Sequence, residues 1–463
     1  MITFLIKLFR TLSHTERLVV YGSALILFVA AGLLGILLFN AATVETPAPS
    51  PMYAEGVIGQ PITLNPVIAG ANDPDHDLIR LTFADLVTLS ESVKTNDSGK
   101  TWDVVLKNNL RWSDGKPLTA DDVIFTLDTI QNPDSRSPLA LAWQGVVANR
   151  ISEREVEFSL HAPYVFFPDN LQDLFVIPQH IWGTIPVANF PLSEYNLQPV
   201  GDGPYQYSSI EKRADGFITD YHLSANPSFP GPQPFLNEFT VTFYQSQSDL
   251  IDAFNTGKID GFGGIAPQSL GDLKLPHTVL EKNVPEYYAV FFNKTTPGLD
   301  DQKVIQALTL AADKNTIVQT VFDGHAIVVN EPVLPTIDGY DNSADPGNAF
   351  SADDASALLD KAGWKLNDTT GIREKKLAKQ TDVTPLEFSL VVPDVKFMTD
   401  TAAILQQEWK AVGVKLDLIV LNPTDIMNEI IKTRNYQMIL FGNVLKQNPD
   451  LFSFWHSSEK FYP

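Results

Sequence analysis

The sequence predicts an α/β protein carried behind one membrane-crossing helix, and three stretches predict it. Residues 18–39 are an uncharged apolar run. Residues 108–130, NNLRWSDGKPLTADDVIFTLDTI, read as a strand, a tight turn and a capped helix in succession. Residues 399–441 alternate helical and extended periodicity, which implies a sheet covered by helices.

The apolar run is long enough to cross a hydrocarbon core of about 30 Å at about 1.5 Å per residue. Lys7, Arg10 and Arg17 precede it, and Glu45 is the first charge after it. The positive-inside bias therefore predicts residues 1–17 in the cytoplasm and everything after Asn40 outside. A cleaved signal peptide is the competing reading. Its apolar core would run only about 7–15 residues, and Phe39-Asn40 before Ala41-Ala42 makes a poor cleavage site, so an uncleaved signal anchor is favoured. Residues 40–52 carry Pro47, Pro49 and Pro51 among small residues and read as an extended linker, with the globular part starting at Tyr53.

Asn72 to Asp77, NDPDHD, has calcium-like carboxylate spacing at Asp73, Asp75 and Asp77. It lacks the following glycine and contains Pro74, so a solvated loop is expected. In residues 108–130, Leu110 and Trp112 alternate with Arg111 and Ser113 as in a half-buried strand. Asp114-Gly115 is a turn pair. Thr119 and Asp122 form a capping-box-like pair ahead of Val123, Leu127 and Ile130 at helical spacing. Val241 and Phe243 suggest a strand, followed by a helix over 247–255 that Gly257 closes, and Ile259-Asp260 starts the next extended piece. Ala403, Ile404, Trp409 and Val412 mark a helix over 399–412. Gly413 stops it, and Val414, Leu416 and Leu418 continue as a strand. A helix over 424–433 and a strand over 436–441 complete the alternation.

Chemistry is absent from this pattern. With no cysteine there is no disulfide, thiolate metal site or cysteine nucleophile. The eight histidines are scattered, with no H-E-x-x-H. No G-x-S-x-G elbow or phosphate-binding glycine loop occurs. Gly261, Gly263 and Gly264 read as a turn. Asp121-Asp122, Asp300-Asp301 and Asp353-Asp354 each fall at an expected helix start, where the helix dipole favours them. A net charge of −22 disfavours nucleic-acid binding. No cofactor, metal or enzymatic activity is expected.

Six segments, in order along the chain, carry a resemblance. They are 108–130; 198–207 (QPVGDGPYQY); 250–262 (LIDAFNTGKIDGF); 287–313 (YYAVFFNKTTPGLDDQKVIQALTLAAD); 353–364 (DDASALLDKAGW); and 448–456 (NPDLFSFWH). Together they are similar to the signature of the extracellular solute-binding proteins of family 5, which serve peptide/nickel-type ABC importers. Asp202 stands where a threonine or serine is usual, and Ile305 where an arginine is usual.

The resemblance implies a two-lobed periplasmic-binding-protein-like fold, class II of the peptide-binding type, with an inserted third domain. Lobe I would comprise residues 53–86 and 182–283, the insert 87–181, and lobe II 284–463, with the C-terminal return to lobe I missing from this sequence. It implies a binding role for oligopeptides or a similar small solute, with permease and ATPase subunits as partners. A sensor acting through a separate membrane protein is the alternative. By resemblance the ligand-facing candidates are Asn65, Tyr287, Asn293, Thr424, Asp425, Gly442, Asn443, Lys446, Asn448 and Asp450. Asn65 reads first as a turn former, Thr424 equally as a helix N-cap, and Tyr287 and Tyr288 as core. The loop over 441–449 contains no carboxylate to meet a peptide ammonium, while Lys446 could attract an anionic group.

Overall fold

The computed structural model describes residues 13–42, 50–95, 97–335, 340, 349–377 and 382–445. The chain divides into two compact units, one of Met1–Met52 with Pro234–Asn237, the other of Tyr53–Gln233 with Glu238–Pro463. The first unit holds helix α1, His14–Ala42, long and apolar enough to cross a membrane.

The second unit is built on sheets. The first takes five strands in the order β6-β7-β8-β1-β9: β1 (Ser50–Ile58), β6 (Tyr205–Lys212), β7 (Ile218–Ala225), β8 (Leu236–Tyr244) and β9 (Gly261–Phe262). β1 and β9 run parallel, with Glu55 opposite Gly261. The second sheet, ordered β2-β3-β5-β4, uses β2 (Ser90–Thr95), β3 (Thr101–Leu106), β4 (Val147–Arg150) and β5 (Glu155–Ser159). The third, ordered β10-β16-β14-β15, uses β10 (Glu286–Phe292), β14 (Glu387–Pro393), β15 (Lys415–Leu421) and β16 (Met438–Val444). β11 (Lys365–Leu366), β12 (Arg373–Lys375) and β13 (Thr384–Pro385) make a small antiparallel sheet. The longer helices are α2 (Asp73–Thr82), α3 (Ala120–Gln131), α4 (Gln247–Asn255), α5 (Gln302–Leu310), α6 (Lys314–Phe322), α7 (Ala352–Lys361) and α8 (Lys396–Ala411).

Local chemistry explains several of these elements. Thr119 and Asp122 form a reciprocal capping box at α3, whose Val123, Leu127 and Ile130 are buried. Gly115 has φ +85, as the turn requires. The expected strand at Leu110–Trp112 is corrected. Only a single bridge, Arg111 to Pro117, forms there, and β3 ends earlier at Leu106. Leu110 and Trp112 are nonetheless buried, so the alternation reported burial around a bend rather than a ladder.

The expected loop at Asn72–Asp77 is also corrected. It is the start of α2, with Asn72 at the N-cap position and Pro74 in the first turn, where a missing N–H costs nothing. Asp75 is buried and accepts the Ile62 N–H at 2.6 Å, so it ties the preceding segment to the helix. Residues 40–42 continue α1 and 50–52 begin β1, so the linker is not extended throughout. The helix expected over 424–433 is a short turn, Pro423–Asp425, followed by a π-helical stretch, Ile426–Ile431.

The segment Gly201-Asp202-Gly203 lies flush against the backbone at the end of α2. A Cβ on Gly201 would collide with the Thr82 carbonyl oxygen, and one on Gly203 would come within 2.6 Å of the Phe83 nitrogen. Between them Asp202 is buried, and its Oδ1 accepts the Ala84 N–H at 3.0 Å. Its Oδ2 has no partner. Burial pushes its carboxyl up to about 8, reinforced by the nearby Asp122 and Asp85 carboxylates.

Candidate functional site

The third sheet has its parallel strands ending together. β14 and β15 pair in register from Glu387↔Lys415 to Pro393↔Leu421, and β14 also pairs parallel with β16. After β14 the chain enters α8, whose Met398, Ala402, Leu405 and Trp409 pack with Leu390, Val392, Leu416 and Leu440 on one face. After β15 it crosses to the other face, where Ile426 packs on Val391 and Ile439. Two neighbouring strands whose continuations leave to opposite faces open a crevice at their carboxyl ends, the usual ligand position in open α/β sheets. Asp394 and Asp425, both exposed, stand in the two connections, and the Asp394 N–H bridges them by donating to Leu421 O at 2.8 Å.

β10 is antiparallel to β16, so its first residues reach the same end, with Glu286 opposite Val444, Tyr287 opposite Asn443 and Tyr288 opposite Gly442. Tyr287, Gly442 and Asn443 are therefore brought together. Tyr287 is buried with Leu334 and Leu445, and its hydroxyl accepts from Asn443 Nδ2 at 3.3 Å. Tyr288 points to the α8 face, 38% exposed, with its ring centroid 4.9 Å from that of Phe397. Gly442 leaves room for that ring, since a Cβ there would come within 2.6 Å of Tyr288 Cε1. Burial, with help from the Glu286 carboxylate, pushes the Tyr288 hydroxyl up to about 12.

The other candidates separate. Asn293 lies past the far end of β10, where its Nδ2 donates to Tyr436 O at 2.9 Å and its Oδ1 accepts from Thr295. Asn65 is buried and closes a turn, its Oδ1 accepting the Val67 N–H at 2.9 Å. Thr424 and Asp425 sit in the turn after β15. Lys446, Asn448 and Asp450 lie outside the described residues. Sequence reasoning did not nominate Glu286, Phe397 or Asp394, because their adjacency depends on strand register and crossover, which no local pattern encodes.

A separate cavity of about 510 Å³ is lined by Arg80, Phe83, Asp85, Gln172, Phe175 and Phe229 among others. None of its walls comes from the strand ends, and none of the candidate residues lines it. Among the described residues no group of three or more histidines or carboxylates is placed to hold a metal.

A two-lobed α/β molecule whose parallel strands switch faces at their carboxyl ends is the build of a ligand-binding protein. Residues 88–461 match the family described as bacterial extracellular solute-binding proteins, family 5 Middle, and the chain belongs to it. It is 25% identical over 421 residues to the oligopeptide-binding protein AppA of Bacillus subtilis, covering 87% of this chain and 75% of AppA. The structure of that protein in complex with a nonapeptide superposes with a TM-score of 0.70 over 90% of this chain and 85% of AppA, at 24% identity. A putative ABC transporter peptide-binding protein of Brucella ovis is 26% identical over 57% of this chain, which spans 49% of that relative. NikA of Brucella suis, in complex with Fe(III)-EDTA, shares the fold with a TM-score of 0.74 at 22% identity over 88% of this chain and 81% of NikA.

Proposed function

We propose that this protein is the membrane-anchored, extracytoplasmic binding component of an ABC importer, taking an oligopeptide or similar small solute between two closing lobes. The observation that carries this reading is the parallel pairing of β14 with β15 and β16, with the connections after β14 and β15 leaving to opposite faces, in a chain of this family. Lobe I would be residues 53–86 and 182–283, the insert 87–181, and lobe II the chain from 284. The membership of the three large sheets supports that division. The peptide held by AppA supports the ligand class, and α1 supports the anchor. Permease and ATPase subunits are the partners this role requires.

Closure about the segment at 283–286 would bring ligand contacts from both lobes. Two links already join the proposed lobes in this structure. Gln268 Nε2 donates to Val321 O at 2.8 Å, and His325 Nδ1 lies 3.0 Å from Glu281 Oε1. The test is a random nonapeptide library offered to the detergent-solubilised chain, with binding read by native mass spectrometry. Small-angle scattering then compares the free protein with the protein holding a selected peptide. Binding with compaction and without cleavage of the peptide is expected. No retained peptide, or steady conversion of peptide to product, defeats the reading.

A further inference from the structure

The cavity of about 510 Å³ beside the end of α2 takes its walls from separate parts of the chain. Arg80 and Phe83 come from the last turn of α2 and its C-terminal cap, and Asp85 caps the short helical turn Leu86–Leu89 that follows. Phe175 lies shortly after the helical turn Phe167–Gln172, and Phe229 in the connection between β7 and β8. Backbone hydrogen bonds fix these walls to one another. The Leu86 N–H donates to Leu174 O at 2.9 Å, and Asp85 and Phe175 form an antiparallel bridge. The Gly203 N–H donates to Thr82 O at 2.9 Å, and the Asn226 N–H to Pro204 O at 2.9 Å, which brings the Phe229 turn to the same place. The cavity is thus preformed, at a size that suits a small molecule.

Its walls carry three kinds of group. Arg80 is exposed, and among the described residues it forms no hydrogen bond or ion pair. Asp85 is held in one orientation by Thr88, whose N–H donates to Oδ1 at 2.8 Å and whose hydroxyl donates to Oδ2 at 2.6 Å. Each carboxylate oxygen keeps a further lone pair for a ligand donor. Asp173 adds a second carboxylate. Phe83 is buried and Phe175 and Phe229 are half-buried, so three rings supply apolar wall. Gly231 lets the Phe229 ring take its place, since a Cβ there would come within 2.5 Å of it. A simple carboxylate in this cavity would face the two acids, and a simple amine would face Arg80. A purely apolar molecule would leave the charges unpartnered. A carboxylate, an ammonium and an apolar side chain on one carbon meet all three kinds of group at once.

We infer that this cavity binds a free amino acid with a large apolar side chain, its carboxylate on Arg80, its ammonium on Asp85 and its side chain among Phe83, Phe175 and Phe229. The inference goes beyond the peptide-binding reading, because it concerns a second site that shares no residue with the candidates at the strand ends.

The test is a ligand-observed NMR titration of the detergent-solubilised full chain with L-phenylalanine, phenylpropanoate and phenethylamine. L-Phenylalanine is expected to bind saturably, and loss of either charge to weaken binding by at least about tenfold, as loss of a charge-assisted hydrogen bond should. Arg80→Gln is expected to weaken L-phenylalanine by a similar factor and to remove its advantage over phenethylamine. Phe229→Ala is expected to weaken it as well, and thermal unfolding checks that both variants are folded. A peptide selected from the nonapeptide library, added at saturation, is expected to leave L-phenylalanine binding intact. No saturable binding, equal binding by wild type and Arg80→Gln, or displacement by that peptide overturns the inference and leaves the importer reading standing. If no peptide is retained, the importer reading falls, and the Arg80 comparison still decides this one.

Discussion

At the scale of single residues, Asp202 sits in surroundings that disfavour its charge. One oxygen serves the Ala84 N–H, the other is buried without a partner, and its nearest charges are the carboxylates of Asp122 and Asp85. Its folded value of about 8 lies far above the unfolded value near 3.9. A raised carboxyl binds its proton more tightly in the folded state. Its contribution is thus fully present below the unfolded value and is lost as pH rises through the folded one. Asp202→Thr removes that titration while keeping a short acceptor beside Ala84. The stability of the variant relative to wild type should increase between pH 4 and 8, by at most about 1.4 kcal/mol per pH unit. Melting temperatures at pH 4.5 and 8.5 check it, and an equal difference at both pH values would refute it. Gly201→Ala should lower stability at every pH, because its Cβ meets backbone that cannot move aside. The unusual aspartate was visible in the sequence. The unpartnered oxygen and the flush packing of the two glycines were not, since both depend on a segment more than a hundred residues away.

At the scale of elements, the chain announced itself best where a start signal and a periodic face coincide. The Thr119–Asp122 box and the buried face of α3 are the clearest case. Asp122 also accepts the Gln179 N–H at 2.9 Å, so the box ties α3 to a later helical turn. Thr119→Ala should cost about 1 kcal/mol. Asp122→Ala should cost more, because it leaves the Gln179 donor unpaired in a half-buried site. Calorimetric melting of both variants checks the order, and equal losses would mean the second bond adds nothing. The α2 start was equally legible, since Asn72 and Pro74 are ordinary N-terminal signals, but a run of carboxylates with a proline also suits the solvated loop that the sequence leads one to expect. The π-helical stretch at Ile426–Ile431 has no such signal. Nor does the β10–β16 pairing, which sets Glu286 beside Val444 across more than 150 residues of intervening chain. Non-local register of this kind decides the candidate site, so the sequence exposed its scaffold far better than its lining.

At the scale of the whole molecule, retention of α1 carries the largest consequence. The helix spans 29 residues, about 44 Å at 1.5 Å per residue, and exceeds the hydrocarbon thickness even when tilted. A secretory signal needs only about 7–15 apolar residues and a small-residue cleavage site, whereas here Phe39 and Asn40 occupy the approach to Ala41-Ala42. Retention would hold the binding protein at the membrane surface, so its encounter with a permease would become a search in two dimensions. The effective concentration would then depend on the tether between α1 and β1 rather than on the number of free molecules outside the cell. N-terminal sequencing of membrane-extracted protein should find a start ahead of His14, and alkaline washing should leave the protein in the membrane fraction. A mature N-terminus between residues 41 and 53, with the protein released into the soluble fraction, would show that the apolar helix directs export and is then removed.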